Sequence, residues 1–142
     1  MTDLVPSLRV VIDHLPQMEP PASEGTHRAL VADLRELGKR PQVYVKVSEV
    51  LRRVDGRVPE DVNFYRPRLD MLWEIFGEDR LIYGSDWPNS DLWAEYPQVL
   101  KVVREYFMSK GPEAAEKYFW KNSVAAYRWV KRENAQPQLR GA

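Results

Sequence analysis

Three short apolar runs punctuate the chain. They are Arg9-Val10-Val11-Ile12-Asp13, Val43-Tyr44-Val45-Lys46-Val47 and Arg80-Leu81-Ile82-Tyr83-Gly84. Their length and their β-branched and aromatic content predict strands. The continuous Val-Val-Ile of the first predicts a strand covered on both faces. Between them the period changes to that of a helix. Leu30, Val31, Leu34 and Leu37 form one stripe, with Gly38 placed where a left-handed C-cap belongs. Leu69, Leu72, Trp73 and Phe76 form a second, with Pro67 near its start and Gly77 just past its end. Strand–helix–strand–helix–strand predicts a parallel sheet with right-handed crossovers.

After the third strand the pattern is helical. Val99, Leu100, Val103, Tyr106 and Phe107 share a stripe closed by Gly111, and Pro112 opens another helix that continues past Asn122 to Tyr127. Residues 16–25 and 55–65 read as polar loops. The tail 134–142, with Pro137 and Gly141, is expected to fray. The chain reads as one domain over residues 1–142.

Composition removes several function classes. Lys plus Arg and Asp plus Glu balance at 21 each, so no overall basic field draws in nucleic acid or anionic lipid. The chain has no cysteine, which excludes disulfides, thiol catalysis, iron–sulfur clusters and cysteine zinc sites. No apolar run approaches the ~20 residues of a membrane span, and the N-terminus lacks a secretory pattern. The expectation from composition is a soluble cytoplasmic α/β domain.

Each predicted strand ends in polar residues: Asp13 and His14, then Lys46 and Ser48, then Ser85 and Asp86. In a parallel sheet these ends share one rim, where α/β folds place their sites. Taken singly, His14 reads as a loop imidazole, Lys46 as a snorkelling side chain and Asp86 as a turn residue. Taken together, three such residues at one rim point to a single site. His27, the other histidine, reads as surface.

The segments Val10-Val11-Ile12-Asp13-His14-Leu15, Val43-Tyr44-Val45-Lys46-Val47-Ser48 and Arg80-Leu81-Ile82-Tyr83-Gly84-Ser85-Asp86-Trp87-Pro88 resemble successive signatures of the amidohydrolase-related TIM-barrel hydrolases, in their lactonase-like branch. Lys121-Asn122-Ser123-Val124-Ala125-Ala126-Tyr127 is similar to that family's C-terminal helix. The resemblance runs from about Leu8 to Val130. It implies the C-terminal half of a (β/α)8 barrel, because a full barrel takes ~250 residues and eight strands. The chain departs from the family pattern in lacking a His-x-His pair and in carrying Pro16 where Gly is usual.

The resemblance further implies a small-molecule substrate, a cyclic ester or related carbonyl compound that is attacked by water. Asp86 would be the general base and His14 would orient or polarise the carbonyl. Lys46, Ser48, Arg52, Arg53 and Trp87 would lie on the substrate side, with Arg52 or Arg53 suited to a substrate carboxylate. His14 and Asp86 are also the candidate ligands for a divalent metal such as zinc. The alternatives are a non-catalytic remnant, a subunit completed by another chain, and a decarboxylase of the same broad family. A three-stranded half-barrel is expected to be inactive alone. It is also expected to associate with itself or with a chain that supplies the remaining strands.

Overall fold

A computed structural model describes residues 4–14 and 23–136 of the chain. Its sheet has three parallel strands in the order β1 (Val10–Ile12), β2 (Val43–Val47), β3 (Leu81–Tyr83). Helix α1 (Glu24–Gly38) joins the first two and α2 (Val62–Phe76) the last two. A 3-10 turn at Asn89–Leu92 follows β3 and leads to α3 (Tyr96–Ser109). A last helical run comprises α4 (Pro112–Glu116), a π-turn at Lys117–Lys121, and α5 (Asn122–Tyr127). Among the described residues no helix is long and apolar enough to cross a membrane.

The central strand fixes the layering. Val43, Val45 and Val47 are fully buried, while Tyr44 and Lys46 between them are half-buried. One face of β2 therefore packs on the helices and the other faces away from them. Val10 and Ile12 pair with Val43 and Val45, and Leu81 and Tyr83 with Val45 and Val47, so all seven share the helix-covered face. Leu34, Tyr65, Leu69, Leu72, Phe76, Val103, Tyr106 and Phe107 complete this core, and Tyr118 stacks on Phe107 at 3.5 Å. Strand β1 is half-buried throughout, not covered on both faces as its composition predicts, because it lies at the edge of the sheet.

The opposite face is partly covered by the C-terminal run. Ile82, which pairs with Lys46, is buried, and Arg9 at the start of β1 donates from Nη1 to the Ala125 carbonyl at 2.7 Å. Asn122 donates from Nδ2 to the carbonyls of Leu81 (2.8 Å) and Glu78 (2.7 Å), tying α5 to the base of β3.

Two local expectations change. Helix α2 begins at Val62, within the expected loop, because Asp61 caps it by accepting from the Asn63 N–H at 2.9 Å. Pro67 is therefore inside the helix rather than at its first position. Gly38 ends α1 without entering the left-handed region. Its small size matters instead: a Cβ there would come within 2.6 Å of Ile75 Cγ2 and 2.8 Å of the Ile75 carbonyl oxygen. Gly77, by contrast, does take a positive φ of 69° as the C-cap of α2. Of the first expected loop, residues 16–22 lie outside the described residues, and Ser23 is the N-cap of α1. The end of the tail, 137–142, also lies outside them.

Candidate active site

Parallel strands put the ends of β1, β2 and β3 on one rim, and the backbone there is unusual. His14 after β1, Glu49 after β2 and Asp86 after β3 have φ of 58°, 56° and 56°. L-residues visit this left-handed region rarely, and such positions cluster at functional sites. The turn after each strand thus holds a proton-transferring or charged side chain at a conformation glycine would adopt at lower cost.

Two of these side chains meet. His14 Nδ1 is 3.7 Å from Asp86 Oδ1 and 3.1 Å from Ser48 Oγ, the latter a hydrogen bond whose direction follows the imidazole tautomer. The Asp86 side chain is only 7% exposed, whereas His14 is 44% exposed. The loop after β3 secures the aspartate. Ser90 N–H donates to the Asp86 carbonyl at 3.0 Å, and Asn89 Nδ2 donates to Oδ1 at 3.5 Å. Trp87 N–H donates to Ser85 Oγ, and the Trp87–Pro88 bond is cis. A recessed carboxylate beside an accessible imidazole is an arrangement able to activate a water molecule and orient a carbonyl.

Lys46 lies on the same sheet face as Ser48 but is engaged elsewhere. Its ammonium pairs with Asp13 Oδ1 at 2.5 Å. That hydrogen bond holds its pKa above the usual lysine value against the opposing effect of burial, and Tyr127 adds to it. Lys46 is a cation at neutral pH, not a free amine. Its stem runs along Gly84, where a Cβ would meet Lys46 Cδ at 2.8 Å, Lys46 Cγ at 2.9 Å and Ser48 Cβ at 3.0 Å.

The arginines diverge. Arg52 donates from Nη1 to the carbonyls of Glu49 (2.7 Å) and Leu51 (2.8 Å), and its guanidinium lies 5.8 Å from the Trp93 ring centre. Its side chain is 13% exposed. Arg53 is exposed and, among the described residues, donates from Nη2 to the Leu92 carbonyl at 3.4 Å. Trp87 is 54% exposed and meets Tyr96 edge-on at 6.2 Å. His27 is exposed in the first turn of α1. Sequence reasoning passed over Asp13 as a partner and Glu49 altogether. Asp13 was findable, because once β1 and β2 are paired in parallel it follows Ile12, the partner of Val45, as Lys46 follows Val45.

An imidazole nitrogen and a carboxylate oxygen are suitable zinc donors, but zinc sites use three or four protein ligands. Among the described residues no group of three or more His, Cys, Asp or Glu could hold a metal ion. The side chains described here do not by themselves form such a site.

Comparison with known proteins places these features in context. A family model described as amidohydrolase matches residues 1–129. The chain is similar to the L-fucono-1,5-lactonase of Burkholderia ambifaria, with 33% identity over 129 residues that cover 87% of this chain and 42% of the lactonase. It is similar to an amidohydrolase from Burkholderia multivorans solved with bound zinc, at 28% identity and a TM-score of 0.71, covering 86% of this chain and 44% of that one. It also resembles a candidate 2-pyrone-4,6-dicarboxylic acid hydrolase from Pseudomonas putida, at 26% identity and a TM-score of 0.64, covering 86% and 44%. The chain spans less than half the length of each relative. Its three parallel strands and their helices are half of a TIM barrel.

Proposed function

The chain belongs to the amidohydrolase family, and we propose that it carries the proton-transfer end of a hydrolase that opens a cyclic ester by attack of water. The observation that supports this most strongly is the approach of His14 Nδ1 to Asp86 Oδ1, 3.7 Å, on the rim where α/β barrels hold their sites. Asp86 takes a proton from water as the water oxygen bonds to the ring carbonyl carbon. His14, steadied by Ser48, orients the carbonyl oxygen. The carbon–oxygen bond of the ring then breaks, and the departing ring oxygen takes that proton back from Asp86 to leave as an alcohol. Lys46, tied to Asp13, holds the end of β1 from which His14 projects. The names of the relatives, an L-fucono-1,5-lactonase and a candidate 2-pyrone-4,6-dicarboxylic acid hydrolase, support a lactone as substrate.

The remaining strands and ligands come, on this reading, from another segment or another chain. The test is a chimera in which this chain replaces its aligned segment in the Burkholderia ambifaria lactonase. Hydrolysis of L-fucono-1,5-lactone that depends on Asp86 supports the reading. A chimera that folds, by its circular dichroism and cooperative melting, yet hydrolyses neither that lactone nor 2-pyrone-4,6-dicarboxylate overturns it.

A further inference from the structure

The loop that carries Asp86 runs over residues 84–95, from the end of β3 to the start of α3. Tyr83 is the last residue of the strand and Tyr96 the first of the helix. The Tyr83 hydroxyl donates to the Tyr96 hydroxyl at 3.2 Å. The two ends of the loop are thus joined by side chains as well as by the chain between them.

Both tyrosines are braced. The Tyr83 ring meets Tyr118 edge-on with centres 5.7 Å apart and Phe119 at 5.2 Å. Tyr118 is itself fully buried and donates to the Val47 carbonyl at 2.9 Å, so Tyr83 rests on a fixed part of the core. Burial, and then the Tyr96 hydroxyl, hold the Tyr83 phenol well above the usual tyrosine value, and it keeps its proton at neutral pH. Tyr96 in turn receives Trp87, the residue after Asp86, edge-on at 6.2 Å. Between these points the backbone is bonded turn to turn. The Asp86 carbonyl accepts from Ser90 N–H at 3.0 Å, and the Ser90 carbonyl accepts from the N–H groups of Trp93 at 3.0 Å and Ala94 at 3.2 Å. A shift of the helix start against the strand end is therefore passed back to the aspartate. Asp86 holds a φ of 56°, and a left-handed conformation of this kind persists only where its surroundings over-determine it.

We propose that Tyr83 and Tyr96 are positioning residues whose hydroxyl contact closes the loop after β3 and, through Trp87 and Ser90, fixes the Asp86 carboxylate against His14. They act through the loop and not on the substrate. The effect on catalysis rests on the reading of Asp86 as general base, whereas the effect on the geometry of Asp86 and His14 does not. A carboxylate aimed by a closed loop is set before substrate arrives, and small losses of aim are costly in proton transfer.

The test uses Tyr83→Phe and Tyr96→Phe, which remove a hydroxyl and leave the ring packing in place. In the lactonase chimera each should lower kcat about threefold to tenfold, the worth of one hydrogen bond, with KM little changed. The double variant should be no worse than either, since all three lose the same contact. Tyr106→Phe, which loses a hydroxyl bond to the remote Asp70, should lower the Tm and leave kcat alone. A second readout needs no activity. The chain has two histidines, so the His14 ring resonances can be followed in the chain itself with His27 as internal reference. Both tyrosine variants should move the His14 resonances towards those of Asp86→Asn and leave those of His27 in place. If the unmodified chimera hydrolyses no lactone, the general-base reading fails while the His14 resonances still decide the closure of the loop. Unchanged His14 resonances in both variants, or a fall in Tm with kcat and the His14 resonances unchanged, overturns the proposal.

Discussion

Gly84 and Lys46 lie against each other across β3 and β2, so closely that a methyl group at position 84 would enter the lysine stem at 2.8 Å. The lysine cannot swing clear at no cost, since its ammonium is held by Asp13 at 2.5 Å. Gly84→Ala should therefore destabilise the fold by roughly 1–3 kcal/mol, the usual range for overpacking. Gly84→Ala combined with Lys46→Ala should recover part of that loss, read by denaturant melts of the four variants. Strict additivity would show that the contact does not matter.

Gly38 sets two effects against each other. Alanine in a helix is better than glycine by about 1 kcal/mol. Here, however, the new methyl meets the Ile75 carbonyl oxygen at 2.8 Å as well as the Ile75 side chain. Backbone does not step aside as a side chain can, so overpacking wins. Gly38→Ala should lower the Tm, and adding Ile75→Ala should not restore it. A rise in Tm with Gly38→Ala would show that α1 and α2 are less closely packed.

Acid should act through Asp70. Its carboxylate accepts from Lys110 Nζ at 2.7 Å and from the Tyr106 hydroxyl at 2.8 Å, and the lysine chiefly holds its pKa below the usual 3.8. A group with a depressed folded-state pKa contributes stability that is complete above its unfolded value and is lost as pH falls through the folded one. Below about pH 4 the native chain should lose stability more steeply than Asp70→Asn. Parallel curves in urea melts from pH 6 to pH 2 would contradict this.

Much of the sheet was legible in the sequence because strand periodicity is local. Val43, Val45 and Val47 announce a buried face without help from the rest of the chain. What could not be read depends on contacts between distant segments. Gly38 resembles a cap by position, and only the approach of α2 reveals that its size is what counts. The early start of α2 rests on one Asp61 hydrogen bond, inside a stretch whose composition suggests a loop. At the rim, strand ends suggested His14, Ser48 and Asp86, and the structure brings their side chains together. Engagement of Lys46 by Asp13 requires the register of β1 on β2.

The uncovered part of the sheet should govern behaviour in solution. The C-terminal run shields Ile82, but β1 is a half-buried edge. Burying each such apolar side chain is worth roughly 1.5–3 kcal/mol, and an open edge invites pairing. Sedimentation at micromolar concentration should show association that weakens on dilution. A monomer at all concentrations that binds no hydrophobic dye would show that the C-terminal run closes the half-barrel on its own.

The claim that His14 and Asp86 form one catalytic unit is tested most directly by kcat/KM for lactone hydrolysis in the chimera carrying His14→Gln, Asp86→Asn, or both. Residues acting as a unit are far from additive. Asp86→Asn alone should cost about 10²-fold or more, the range of general-base catalysis, and the double variant should be scarcely worse than the poorer single one. A loss below that range for Asp86→Asn, or a double variant whose loss is the product of the two, would contradict it.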